Sequence, residues 1–185
     1  MLRFTFLLFP FLLSIIPQCL SLQADYFWRD YTNGEVPLDA VVGGKLANGK
    51  NVYIGQAYIA HQGEVICEIF DGIKKVYVPA FQDVVQKIEK NVKILCGPQQ
   101  NLYWVPTDSK NVHTLLVSNI GVRGGHEDGK GEINIGRINI NGGSKIGKID
   151  TYFNTVPMYY NNNLREESTM SYEILLYKKH NAILN

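Results

Sequence analysis

Nothing in this 185-residue sequence lays out a recognisable catalytic centre. There is no Gly-x-Ser-x-Gly elbow, the turn that presents a nucleophilic serine. The three cysteines, Cys19, Cys67 and Cys96, stand in no nucleophile context. The four histidines, His61, His113, His126 and His180, are scattered without paired ligand spacing. Neighbouring Glu127 and Asp128 in a glycine loop lack the dense oxygen set that calcium needs. No enzyme, metal or cofactor is therefore expected. Lysine and arginine number 18 against 17 acids, and no basic cluster gives the face a duplex-binding protein needs; nucleic acid is not an expected partner. No Asn-x-Ser/Thr acceptor occurs. No segment holds a 3.6-residue apolar period over a helical length. Beyond the N-terminus no apolar run approaches the roughly 20 residues that span a bilayer, so no membrane span is expected.

The N-terminus is different. Arg3 precedes residues 4–16, apolar except for Thr5, Pro10 and Ser14; Pro17 and small residues follow. A basic start, an apolar middle and a small-residue exit form the layout of a secretory signal peptide over residues 1–21, with a cut after residue 24 as the alternative. A membrane anchor is the rival reading, but the run is short and holds Pro10. The expectation is a secreted, extracellular protein. Arg3 is the one charge lost with this leader, so 17 basic and 17 acidic side chains remain. Cys67 and Cys96 then face an oxidising compartment, where a disulfide between them and two buried thiols are both open readings.

What is present is a duplication. Residues 34–55, GEVPLDAVVGGKLANGKNVYIG, return as residues 120–136, IGVRGGHEDGKGEINIG. Gly43-Gly44 and Gly55 reappear 81 positions on as Gly124-Gly125 and Gly136; VKIL at 92–95 is echoed by YEIL at 172–175, and Trp28 by Trp104. Landmarks in one order at nearly one offset mark an internal repeat. Short alternating apolar runs divided by Gly, Asn and Asp turns read as strands: 40–42, 51–59, 65–70, 75–79 and 92–96, then 102–105, 114–118, 132–140, 146–152, 157–160 and 170–178. Residues 84–89 read as a helical turn or an irregular edge, and 124–131, 141–144 and 161–163 as loops. In both long strands the apolar phase shifts, from Val52 and Ile54 to Ala57 and Ile59, and from Ile133 and Ile135 to Ile138 and Ile140. A β-bulge at Gly55 and at Gly136 would absorb such a slip. The expected fold is all-β: two tandem antiparallel β repeats, 25–97 and 98–179, sharing one core about a pseudo-twofold axis in one compact domain, with a tail at 180–185.

These landmarks resemble the DM-nine repeat family of secreted and cytosolic animal proteins. The first repeat carries the resemblance with Trp28, Gly34, Pro37, Ala40, Gly44 and Tyr53-Ile54-Gly55. The second carries it with Trp104, Gly125, Ile135-Gly136-Arg137, Gly142, Gly147-Lys148 and Tyr172-Glu173-Ile174-Leu175. The resemblance implies a compact pair of interleaved β repeats. Some members are mannose-binding lectins of invertebrate innate immunity, in which an acidic residue and the lysine of Gly-Lys hold the sugar. The matching positions here are Glu127 and Lys148; in repeat one they are Leu46 and Glu68, so a family-type site is implied in repeat two alone.

The chemistry suits that role. A carboxylate accepts from two vicinal hydroxyls while an ammonium donates to a third, and charge-assisted hydrogen bonds are the stronger kind. His126, Asp128 and Arg137 lie near enough to contribute. The plainer reading is a solvated loop and a weak surface ion pair. Trp28, Trp104, Tyr103, Tyr152, Tyr159 and Tyr160 could stack on a sugar, although such residues are more often core. The expected function is a lectin-like recognition protein whose partners are glycans or glycoconjugates. The alternative is a secreted interaction or structural module of the same fold that binds no sugar. A hydrolase would require a second carboxylate facing Glu127. A homodimer is left open.

Overall fold

A computed structural model describes residues 26–80 and 84–178. The expected leader, its cut site and the 180–185 tail lie outside these residues. Repeat one supplies β1 (Phe27–Asp30), β2 (Val42–Lys45), β3 (Asn51–Ile59), β4 (Gly63–Ile69), β5 (Val76–Pro79), β6 (Val85–Ile88) and β7 (Val92–Cys96). Repeat two supplies β8 (Leu102–Asp108), α1 (Val112–Ser118), β9 (Ile120–Gly121), β10 (Arg123–Glu127), β11 (Gly131–Ile140), β12 (Gly143–Ile149), β13 (Met158–Asn162), β14 (Arg165–Thr169) and β15 (Ser171–Tyr177). All strand pairs are antiparallel. The main sheet runs β1-β7-β3-β4-β10-β11-β12-β13-β14, with β2 on β3 and β15 joining β11 to β8 and β9; β5 and β6 form a separate hairpin. The fold is all-β, as expected.

The duplication shows in the register. Gly55 faces Ile94 across β3 and β7, and Gly136 faces Ile174 across β11 and β15. Trp28 faces Leu95, and Trp104 faces Leu175. The repeats also exchange contacts reciprocally. Gln56 Nε2 donates to the Gly124 carbonyl at 2.7 Å, while Arg137 donates to the Gly43 carbonyl at 3.0 Å. β10 pairs with β4 through His126↔Glu64 and Glu127↔Gly63, and the Lys45 amide of β2 donates to Ser144 of β12. That reciprocity is what a pseudo-twofold relation produces.

The expected bulges at Gly55 and Gly136 are absent. β3 against β4, and β11 against β12, keep unbroken register through both glycines. The irregularities fall on the neighbouring strands instead, between Val42 and Gly44 and between Arg123 and Gly125. They sit 81 residues apart, at Gly43 and Gly124. The apolar phase changes because each long strand passes between two cores. Val52 and Ile54 enter a middle cluster with Ile66, Leu95, Ile133, Ile135, Ile146 and Leu175, whereas Ala57 and Ile59 enter a cluster made by repeat one alone. Ile138 and Ile140 likewise turn to a third cluster with Ile149, Met158, Tyr172 and Ile174. The single shared core expected is therefore three, the middle one built from both repeats. Each fully buried isoleucine contributes roughly 1.5–3 kcal/mol. Gly55 and Gly136 are small for packing: a Cβ would lie 2.8 Å from Cys67 Sγ or 2.7 Å from Met158 Sδ.

Three further expectations are corrected and one open reading is decided. Residues 114–118, read as a strand, belong to α1, where Val112, Leu115 and Leu116 turn one helical face to the third cluster; seven residues are too few to display the period. Residues 123–127, largely read as loop, are strand β10. Its glycines serve close approach: a Cβ on Gly125 would sit 2.1 Å from the Glu64 carbonyl oxygen. Residues 84–89 hold strand β6, and 165–169 hold β14, which was not expected. Cys67 and Cys96 are buried free thiols, not a disulfide. They stand on β4 and β7 with β3 between them, about 10 Å apart laterally, beyond the roughly 7 Å that a bridge spans. Burial pushes the Cys96 thiol up to about 11, and raises Cys67 further.

Candidate functional site

Glu127 ends β10 and Lys148 lies on β12, and the fold brings them together. Lys148 Nζ donates to Glu127 Oε1 and lies 3.5 Å from Asp150 Oδ2. Tyr152 hydroxyl and Lys130 Nζ donate to Glu127 Oε2, the latter at 2.9 Å. Lys148 Nζ also lies 5.1 Å from the centre of the Tyr159 ring. This approach requires Gly147, whose Cβ would fall 2.0 Å from the Tyr159 carbonyl oxygen. Glu127, Lys148 and Asp150 are 2%, 4% and 2% exposed. The pair is thus a buried ion pair and not the solvated surface pair of the plainer reading.

Burial works to raise Glu127, but hydrogen bonds from Lys148 and Tyr152, with the Lys148 charge and Lys130, outweigh it and hold the carboxyl below its usual range. Burial likewise opposes the Lys148 ammonium, yet Asp150 and Glu127 make it hold its proton more tightly than an ordinary lysine. Asp150 is held less firmly, by the more distant edge of the lysine and by the Tyr152 side chain. Burial, with the Glu127 charge, pushes it up to about 6 against the pull of Lys148. Asp150 Oδ1 is buried without a hydrogen-bond partner. Burial and the bond to Glu127 raise Tyr152 far above a free phenol.

The other candidates separate. His126 and Asp128 are about half-exposed and face each other at 3.3 Å, outside the cluster. Arg137 lies elsewhere: its Nε and Nη2 grip Glu173 at 2.7 and 3.0 Å, and its guanidinium stacks 4.4 Å over Trp104. Asp150 and Lys130 were not foreseen, and Tyr152 and Tyr159 only as stacking aromatics. Asp150 carried a signal, because two residues beyond Lys148 is the spacing that returns a strand side chain to one face. Among the described residues, no group of three or more His, Cys, Asp and Glu is arranged to hold a metal, and no helix is long and apolar enough to cross a membrane.

Repeat one places other chemistry at these positions. Glu68 faces Ile54 as Lys148 faces Ile135, so Glu68 is the lysine's counterpart. It accepts from the Ile146 amide at 3.1 Å and lies 3.5 Å from Lys145 Nζ. Burial raises its carboxyl against the pull of Lys145. Leu46, Phe70 and Gly72 stand where Glu127, Asp150 and Tyr152 stand. There the chain leaves a cavity of about 490 Å³, lined by Leu46, Tyr53, Phe70, Ile73 and a polar rim with Lys50 and Asp71.

Residues 18–87 match the DM9 repeat. Among solved structures, its fold is similar to that of the nematode sperm cell motility protein MFP2B, at TM-score 0.61 and 15% identity over 84% of this chain and 47% of that one. At that identity the likeness is one of fold, and this chain spans about half the length of MFP2B. No curated protein sequence matches.

Proposed function

We propose that this DM9-repeat protein is a secreted, lectin-like recognition protein that binds carbohydrate of the mannose type through the repeat-two cluster. The observation that carries the reading is Asp150 Oδ1, a buried acceptor without a partner beside Glu127, Lys148 and Tyr152. A sugar hydroxyl donating to it would complete the cluster, and adjacent hydroxyls would exchange with the bonds that Lys130 and Tyr152 make to Glu127. Lys130 and Tyr152 cover the site, so a sugar enters as they swing aside.

Binding without turnover is part of this reading. Asp150 does supply a second carboxylate near Glu127, and the two are driven apart in acidity, a pattern shared with glycosidase pairs. Yet the Lys148 ammonium stands between them, where a scissile bond would have to lie.

The second reading is an interaction or structural module that binds no sugar. It is favoured by the enclosure of Lys148, already neutralised by two buried acids. The likeness in fold to MFP2B, a sperm cell motility protein, is in keeping with it. The test is a titration of the secreted protein against a glycan panel with mannose and microbial polysaccharides, beside Glu127→Ala, Lys148→Ala and Asp150→Asn. The lectin reading expects saccharide-induced amide shifts around Glu127, Lys148 and Asp150 to be lost in all three while far-ultraviolet dichroism stays native. Binding to no glycan gives the second reading.

A further inference from the structure

The two tryptophans occupy equivalent places, but among the described residues a guanidinium stacks on Trp104 and none on Trp28. In repeat two Arg137 stacks on Trp104, grips Glu173 and donates to Gly43. In repeat one Gln56 takes the place of Arg137 and makes the reciprocal bond to Gly124. Glutamine is too short to extend further, and among the described residues no other side chain stacks a guanidinium on Trp28. What remains is a groove of about 280 Å³ between the repeats, lined by Trp28, Gln56, Glu64, Arg123, His126 and Glu132. A second hollow of about 350 Å³ continues from it along Trp28, Arg123 and Glu132 to Tyr26 and Asn134. Gln56 is only 3% exposed. Its Nε2 is engaged, and its Oε1 is buried without a hydrogen-bond partner. A buried acceptor in that state calls for a donor.

The charges narrow the ligand. Glu64 is paired with Lys93 at 2.7 Å, and Glu132 with Arg123 at 2.5 Å, so the rim is neutral. Lys93 stands where Glu173 stands in repeat two. A cation in the vacated space would meet an ammonium instead of a carboxylate. An anion would find the rim cations already engaged. A neutral ligand with an apolar face and several hydroxyl donors meets neither obstacle.

We propose that the Trp28–Gln56 groove is a second, open saccharide-binding site. A sugar ring lays its C–H face on the Trp28 indole and donates one hydroxyl to Gln56 Oε1, with Glu64 and His126 in reach of its neighbours. This rests on the reading that the protein binds glycans, but not on the Glu127–Lys148 cluster.

The test uses the full secreted chain with Trp104→Phe, which leaves Trp28 as its one tryptophan, titrated with methyl mannoside and soluble mannan. Tryptophan emission and calorimetry are read together. The expected result is a saturable change in Trp28 emission that survives Lys148→Ala. It should weaken at least about tenfold in Gln56→Arg, which refills the groove as in repeat two, and in Gln56→Ala, which removes the acceptor. Gln56→Arg is also run with Trp104 intact and read by calorimetry, so that a folding defect from Trp104→Phe does not decide the result. Calorimetric binding without any change in Trp28 emission, unaffected by both Gln56 variants, overturns the groove and leaves the glycan reading standing. Heat-silent titrations with every probe overturn both.

Discussion

Repeats one and two share a backbone register and differ in what fills it. In repeat two the space beneath β10 and β12 is packed by Glu127, Lys148, Asp150 and Tyr152, and the face of Trp104 is covered by Arg137. In repeat one the same two places hold Leu46, Glu68, Phe70 and Gly72, and then Gln56, and both are hollow. The repeat that holds the Glu127–Lys148 pair has closed over it, and the repeat that lacks the pair is open. A retained motif therefore does not by itself mark the accessible site. Charge at one register position also needs new partners when it changes sign: Lys148 is answered by two acids of its own repeat, Glu68 by an amide and a lysine of the other.

The largest way to break this comparison is to remove the charged residue from each side. Lys148→Ala leaves two buried acids without their cation and should cost about 3–5 kcal/mol in urea unfolding. Glu68→Ala gives up one backbone bond and a longer ion pair and should cost about 1–3 kcal/mol. Equal losses would mean that the two positions are energetically alike. Next come the groups on the tryptophans. Arg137→Ala loses a two-pronged grip on Glu173 and a stacked ring, for about 2–3 kcal/mol. Gln56→Ala also removes an unpartnered oxygen and should cost less than about 1 kcal/mol.

Asp150 gives the third contrast, through pH. Its folded value of about 6 lies above its usual 3.8, so the folded state holds that proton more tightly. The protein therefore loses stability from this group as pH rises from about 4 to 6, and the penalty is complete above that. Asp150→Asn should raise neutral-pH stability by about 1–3 kcal/mol and flatten the slope between pH 4 and 6. Glu127 works oppositely: held below its usual value, it contributes stability at neutral pH that is lost as pH falls through its depressed value. Unfolding curves at pH 4, 5, 6 and 7 separate the two, and a wild-type slope in Asp150→Asn would refute the assignment. Another small effect is Tyr152→Phe, which removes one hydrogen bond to Glu127 and should cost about 1 kcal/mol, with no counterpart at Gly72.

Much of the frame was legible in the sequence. The 81-residue offset of Gly43, Gly44 and Gly55 to their partners holds in the sheet registers, and alternation found the long strands. What alternation does not carry is which core a face meets. It marks Ile54 and Ala57 as lying on opposite faces, and this reads as a slip until two cores are seen on either side of β3. Glycine misled at Gly124-Gly125, where it permits strands to crowd and does not make a turn. Leu115 and Leu116 fit a strand as well as one face of a two-turn helix. The joining of Glu127 to Lys148 was legible through the resemblance, but its burial was not. Enclosure depends on Tyr152 and Asp150 arriving from beyond the strand end, a matter of three-dimensional packing.

The most direct measurement is an amide NMR map of the protein titrated with methyl mannoside. The account predicts saturable shifts at Glu127, Lys148 and Asp150 and, separately, at Trp28 and Gln56, while the Leu46–Phe70 hollow stays still. Shifts confined to that hollow, or none anywhere, would contradict it.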